Sequence, residues 1–274
     1  MTLDPVRVLG TPMPDRRYRW SKRDTILYAL GAGCDADDLP FVYDRDLVTL
    51  PTFVTLVCNV PMFDPVALGL DYAGLVHAAQ SITLHRPIAP EGEAVLSKRV
   101  AGLWDRGSER GAVLAVETLV RDAVTGELLA TVVNEMLARR NGGFGGAPPT
   151  AHDRAPLAAT AARDMPTRAD QALLFRLSGD WNPLHADPEV ARAAGFPAPI
   201  LHGMCTYAIC ARALLAEYAL PAEALRDFSA RFRAPVYPGE TLTVEMARSG
   251  ATIDFTARVG DRQVVRDGRA VLRS

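Results

Sequence analysis

The 274-residue chain is 49% apolar and 23% charged, and 30 Lys and Arg against 32 Asp and Glu leave a formal charge of −2. This balance excludes a disordered or fibrous chain and offers no basic footprint for nucleic acid or an anionic membrane. The length suits one large domain or two small ones.

Residues 1–20 scatter Asp4, Arg7, Asp15, Arg16, Arg17 and Arg19 among prolines, where a secretory leader needs an uninterrupted apolar stretch. The sequence thus predicts a cytoplasmic protein. Ile26–Asp35 (ILYALGAGCD) reads as a helix that opens the first half. Glu93–Trp104, Gly111–Val120 and Glu127–Ala138 read as strands, separated by turn material at Asp105-Arg106-Gly107 and Thr125-Gly126. Residues 141–168, with GGFGG at 142–146, Pro148 and Pro149, read as an extended linker. The expected organisation is a repeat over 1–140, the linker, and a second repeat over 169–274.

The second half opens on a matching helix, Leu173–Asn182 (LLFRLSGDWN), at an offset of 173 − 26 = 147. Arg86–Glu93 (RPIAPEGE) lies over Arg233–Glu240 (RAPVYPGE) at 147 to 148. Two matches about sixty residues apart at nearly one offset mark a duplication. After Gly203 runs a stretch that is apolar almost all round, MCTYAICARALLAEY, as a helix enclosed by a sheet must be. Its interruption by Arg212 and Glu217 excludes a membrane span. Ile253, Phe255, Ala257 and Val259 then alternate with polar residues, the period of a half-buried strand. The first half shows no equally long apolar helix, since Gly69–Gly74 interrupts the candidate region. Loss of part of that helix predicts a long apolar cavity suited to an acyl chain. Cys34, Cys58, Cys205 and Cys210 lack zinc spacing and disulfide density, and read as small buried hydrophobes.

The densest chemistry lies in Ser178–Asp187 (SGDWNPLHAD), where Asp180, Asn182 and His185 fall on one turn held by Pro183. A carboxylate beside an imidazole orients a water and moves protons near neutral pH, and Asn182 adds a neutral donor and acceptor. Alone, the pair reads more simply as an Asx-turn at Asp180 beside a surface histidine. Two features favour the chemical reading. Gly203 follows Pro199-Ile200-Leu201-His202 at the start of the buried helix, where free N–H groups receive an oxyanion. The first repeat carries Gly33 and Asp35 where the second has Asp180 and Asn182.

FRLSGDWNPLHADPEVARAAGF followed by PILHGMCTY resembles the hydratase 2 motif of MaoC-like (R)-specific enoyl-CoA hydratases in their two-repeat form. YALGAG at 28–33, LPTF at 50–53, the GGFGG segment and PVYPGE at 235–240 extend the resemblance over most of the chain. The resemblance implies an α+β double hot-dog fold, each repeat an antiparallel sheet wrapped around a helix. It implies a hydro-lyase that hydrates trans-2-enoyl-CoA to (3R)-3-hydroxyacyl-CoA in fatty acyl metabolism, as a homodimer. Asp180 and His185 become the catalytic pair, Asn182 their orienting partner and Gly203 the oxyanion donor. His77, Arg106, Trp181 and Phe232 become substrate contacts, with Arg106 toward a CoA phosphate. No metal or redox cofactor is implied, CoA being part of the substrate. An acyl-CoA thioesterase and a non-catalytic acyl-CoA-binding subunit are the alternatives.

Overall fold

The computed structural model describes residues 3–60, 64–66, 68–71, 74–150 and 154–273. Its strands are β1 (Arg16–Trp20), β2 (Leu75–Leu84), β3 (Gly92–Asp105), β4 (Ala112–Asp122), β5 (Leu128–Ala138), β6 (Ala161–Pro166), β7 (Leu225–Phe232), β8 (Thr241–Ser249), β9 (Thr252–Val259) and β10 (Arg262–Leu272). Its helices are α1 (Pro5–Leu9), α2 (Lys22–Gly31), α3 (Leu39–Val42), α4 (Val54–Val57), α5 (Gln171–Phe175), α6 (Pro188–Ala193) and α7 (Gly203–Glu217). The strands form one ten-stranded sheet in the order β1-β3-β4-β5-β2-β7-β10-β9-β8-β6. Read from either edge inward, the connection pattern is the same, so the duplication in the sequence is a duplication in the sheet.

The two copies meet where β2 pairs antiparallel with β7. At the middle of that seam Ser81 faces Ser229, and 229 − 81 = 148, the offset of the sequence repeat. Ser81 therefore meets its own equivalent on a local two-fold axis, and the flanking pairs, Gln80 with Ala230 and Ile82 with Phe228, are related by that axis.

The strands read from the sequence form as β3, β4, β5 and β9. Along β9, Ile253, Phe255 and Ala257 are buried, and the Phe255 ring stacks on Phe228 of β7 at 5.0 Å. Helix α7 is buried on almost every side, from Cys205 through Leu215 with Arg212 the exception. Each fully buried Ile, Leu or Phe side chain contributes about 1.5–3 kcal/mol, so α7 and the sheet under it anchor the second copy. The cysteines are free and buried, and desolvation pushes the thiols of Cys34, Cys58 and Cys210 up to about 12.

Residues 161–166, expected in the linker, form β6 and pair with β8. The polar, alanine-rich composition hid this edge strand, of which only Met165 is buried. The glycine-rich part of the segment is also fixed: the Asp105 carboxylate accepts N–H groups from Gly107, Gly143 and Gly145. Those bonds hold the Asp105 carboxyl below the usual carboxylate range.

The copies diverge at the helix under the sheet. Where the second has the fifteen-residue α7, the first has a 3-10 turn, Pro51–Phe53, and the four-residue α4. Beneath the first-copy sheet the missing turns leave a cavity of about 510 Å³. Its lining includes Leu75, Val116, Val132 and Met136, and also Gln80, Lys98, Thr118 and Asn134. The expected cavity is present but not uniformly apolar, because its polar side chains lie on the inward positions of β2, β3, β4 and β5.

Candidate active site

One end of this cavity is formed by second-copy residues: Phe175, Ser178, Asp180, Asn182 and Met204. Helix α5 packs against α2 closely enough that a Cβ on Gly31 would lie 3.0 Å from the Phe175 Cα. Buried Gln171 fixes the crossing by donating to the Gly31 carbonyl at 2.5 Å. The chain then leaves the 3-10 turn Arg176–Ser178 through Gly179, whose φ of 117° favours glycine and turns Asp180 toward the cavity.

The next turn supports itself. Asp180 Oδ1 accepts the Asn182 N–H at 3.2 Å, the Asx-turn that the sequence allowed. Asn182 Oδ1 accepts the Leu184 N–H at 3.0 Å and caps the 3-10 turn Pro183–His185. His185, 8% exposed, donates from Nδ1 to the Ile200 carbonyl at 2.8 Å. A carbonyl only accepts, so the proton sits on Nδ1 and Nε2 keeps a free lone pair. Burial lowers the His185 pKa below its ordinary value, so the ring is neutral at pH 7.

His202, which the sequence reading did not place in the site, completes this corner. It is 1% exposed, stacks on the His185 ring at 3.7 Å and donates from Nε2 to the Asp180 backbone carbonyl at 3.2 Å. Burial and the adjacent His185 push its pKa down to about 4, and its Nδ1 has no hydrogen-bond partner. Asp180, His185 and His202 each bring a ligating atom within 4.8 Å of the other two. This is room for one water between two acceptors at ordinary hydrogen-bond length. It is also the group of side chains best able to hold a cation among the described residues, although each imidazole spends one nitrogen on a carbonyl.

Gly203 follows His202 as the first residue of α7, and its N–H has no acceptor among the described residues. A Cβ there would lie 3.7 Å from the Phe232 ring, so the aromatic face borders the amide. His77 stands on the other side, its ring 4.9 Å from Phe232, at a bulge in β2 between His77 and Ala79. Burial lowers the His77 pKa to about 4, and its Nε2 meets the Ala79 carbonyl at 3.1 Å. Of the residues expected in the site, His77, Asp180 and Asn182 line this end of the cavity, His185 stands beside Asp180, and Gly203 and Phe232 adjoin one another next to His77.

Two expected residues lie elsewhere. Trp181 is 58% exposed, with the Arg176 guanidinium 4.8 Å from its ring centre. Arg106 lies in the β3–β4 turn, where its N–H donates to the Gly111 carbonyl. Neither lines the cavity.

The equivalent corner of the first copy is filled. Gly33 replaces Asp180, and a Cβ on Gly33 would lie 3.0 Å from Arg212 Nη1. Arg212 reaches from α7 to donate to the Ala32 carbonyl and to Asp38. Only the second-copy corner retains the carboxylate and imidazole.

The fold is a double hot-dog with a carboxylate and two imidazoles clustered at one end of its cavity. Residues 18–140 match the family model "MFE-2 hydratase 2 N-terminal domain" and residues 151–268 match "MaoC like domain". The chain is 40% identical over 263 residues to 3-hydroxyacyl-thioester dehydratase Y of Mycobacterium tuberculosis, covering 91% of this chain and 89% of that one. It is 36% identical to the peroxisomal enoyl-CoA hydratase 2 of Arabidopsis thaliana, covering 93% and 90%. A MaoC-like dehydratase crystal structure from Phytophthora capsici superposes with a TM-score of 0.86 at 27% identity, covering 98% of both chains. The chain belongs to the MaoC-like hydratase 2 family, and it is a hydro-lyase. No helix among the described residues is long and apolar enough to cross a membrane.

Proposed function

We propose that the protein adds water reversibly across a trans-2-enoyl-CoA to give the (3R)-3-hydroxyacyl-CoA, with its chemistry at Asp180, His185 and Gly203. The observation that carries this reading is a cavity-wall carboxylate, Asp180, beside a neutral imidazole with a free Nε2, His185, with the unpaired amide of Gly203 following His202 of the same cluster. A water hydrogen-bonded to Asp180 and His185 Nε2 attacks the β carbon. Its oxygen forms the new C–O bond, and the π electrons move toward the thioester oxygen, where the Gly203 N–H and the positive end of α7 stabilise the charge. The pair takes the proton from the water and returns it to the α carbon, so it ends as it began. The reaction balances with water alone and calls on no redox cofactor.

His202 holds the Asp180 backbone and the His185 ring in register, and Asn182 caps the turn between them. The acyl chain runs under the first-copy sheet, and Arg106 and Trp181 contact CoA outside the cavity. A homodimer in the cytoplasm belongs to the same proposal, to be tested by sedimentation equilibrium and cell fractionation.

The deciding experiment follows enoyl absorbance and free thiol together for the wild type, Asp180→Asn and His185→Gln. Loss of absorbance without thiol release, reduced about 10²-fold or more in both variants, is expected for paired acid–base chemistry. Thiol release would identify a thioesterase. Near-normal turnover in either variant would remove that residue from the mechanism.

A further inference from the structure

The far part of the cavity does not match a plain alkyl chain. Lys98 lines it from β3, and its Nζ donates at 2.7 Å to the carbonyls of Cys58 and Val60. An ammonium has three N–H donors. Among the described residues the third finds no acceptor, and no carboxylate pairs with the charge. Burial depresses the Lys98 pKa. Lys98 pairs with Thr118 on β4, which also faces the cavity. One row nearer the reactive corner, Asn134 of β5 faces Gln80 of β2, and buried Asn134 Oδ1 has no hydrogen-bond partner. A saturated tail would leave these groups buried against methylenes, an arrangement that disfavours binding.

We infer that the preferred acyl chain carries an oxygen substituent, a carboxylate or a hydroxyl, that accepts a hydrogen bond from Lys98 at the far side of the cavity. This rests on the reading of the cavity as the acyl site. Lys98 lies three strands from β2, and a strand spacing of about 4.8 Å puts the two about 14 Å apart across the sheet. A medium-length chain whose thioester lies at Gly203 delivers its far end there. A carboxylate would neutralise the Lys98 ammonium, which among the described residues has carbonyl but no carboxylate partners, and a hydroxyl would accept from it while also donating to a neighbouring oxygen.

The test is calorimetric titration of the intact protein with decanoyl-CoA and its ω-carboxy and ω-hydroxy analogues. These saturated thioesters bind without reacting, so the readout does not depend on hydration. The expected result is that at least one oxygenated thioester binds about tenfold tighter than decanoyl-CoA. A larger gain for the carboxylate marks charge pairing, and a larger gain for the hydroxyl marks neutral hydrogen bonding. Lys98→Met should reduce that preference about tenfold while Lys98→Arg retains much of it, and a ratio between ligands is insensitive to any shared loss of stability. Equal or tighter binding of decanoyl-CoA by the wild type would overturn the inference, as would an unchanged preference in Lys98→Met. Absence of hydration with the preference intact would refute the proposed reaction and leave this inference standing.

Discussion

Gly203→Pro isolates the oxyanion contribution. Proline is well tolerated at the first helical position, where its missing N–H has no intrahelical acceptor. Residue 202 before it must be extended or polyproline-like, and His202 already has φ −59° and ψ 136°. The substitution therefore deletes one N–H while keeping α7. Gly203→Ala is the control, since it keeps the N–H and places a Cβ in ordinary contact with Phe232 at 3.7 Å. Removing one oxyanion donor costs about 2.7–4 kcal/mol of barrier, or about 10²–10³ in turnover. Either change also restricts the unfolded chain, by about 0.4–1 kcal/mol where the native backbone accepts it. Hydration of an enoyl-CoA, followed by absorbance at saturating substrate, should show kcat for Gly203→Pro about 10²-fold or more below that of Gly203→Ala. Thermal melting should show neither variant less stable than the wild type. If both variants turn over within threefold of each other, the Gly203 amide is not the oxyanion donor.

His202→Phe retains a ring against His185 and Phe175 but removes the donor to the Asp180 carbonyl. It should lower kcat about tenfold or more with a smaller change in KM, and steady-state kinetics with unchanged kcat would refute a positioning role. Because the folded pKa of His202 lies near 4, below the ordinary value of about 6.5, the unfolded chain binds more protons between those values. Stability contributed by the neutral ring is complete above about pH 6.5 and is lost as pH falls toward about 4, by a few kcal/mol. Urea midpoints measured across that range should fall with pH, and His202→Phe should flatten the slope. Arg106→Ala should raise KM with little change in kcat, an effect that shrinks with added salt and on a pantetheine thioester lacking the CoA phosphates. An equal loss on both substrates would show that Arg106 does not act through those phosphates.

The duplication was legible because the helix starts and the Pro-x-x-Pro corners keep one spacing, which the facing Ser81 and Ser229 reproduce in three dimensions. Strands β3, β4, β5 and β9 were legible from turn residues and alternation. Strand β2 was not, since its bulge between His77 and Ala79 breaks the alternation and the polar Gln80 takes one of its buried positions. Edge strand β6 escaped because its composition resembles a linker. The candidate site turn was visible as a local cluster of Asp180, Asn182 and His185. His202 was hidden because its role depends on a ring stack and a bond to a carbonyl 22 residues away, and no local motif reports either. Lys98 was equally opaque: a lysine in a strand ordinarily faces water, and only closure of residues 58–60 over it turns it inward.

The seam between β2 and β7 divides the two tasks that the proposed reaction sets, chemistry and selection of the tail. In the proposed reaction the groups around the reacting carbons belong mainly to the second copy, while the walls that would face the tail, Lys98, Val116, Thr118, Val132 and Asn134, belong wholly to the first. A mutation that reshapes those walls leaves the turn at Asp180 and the start of α7 untouched, so selectivity can drift across successive generations without passing through an inactive form. The first copy, with Gly33 where the second has Asp180, can be rebuilt for new tails by design as readily as by descent.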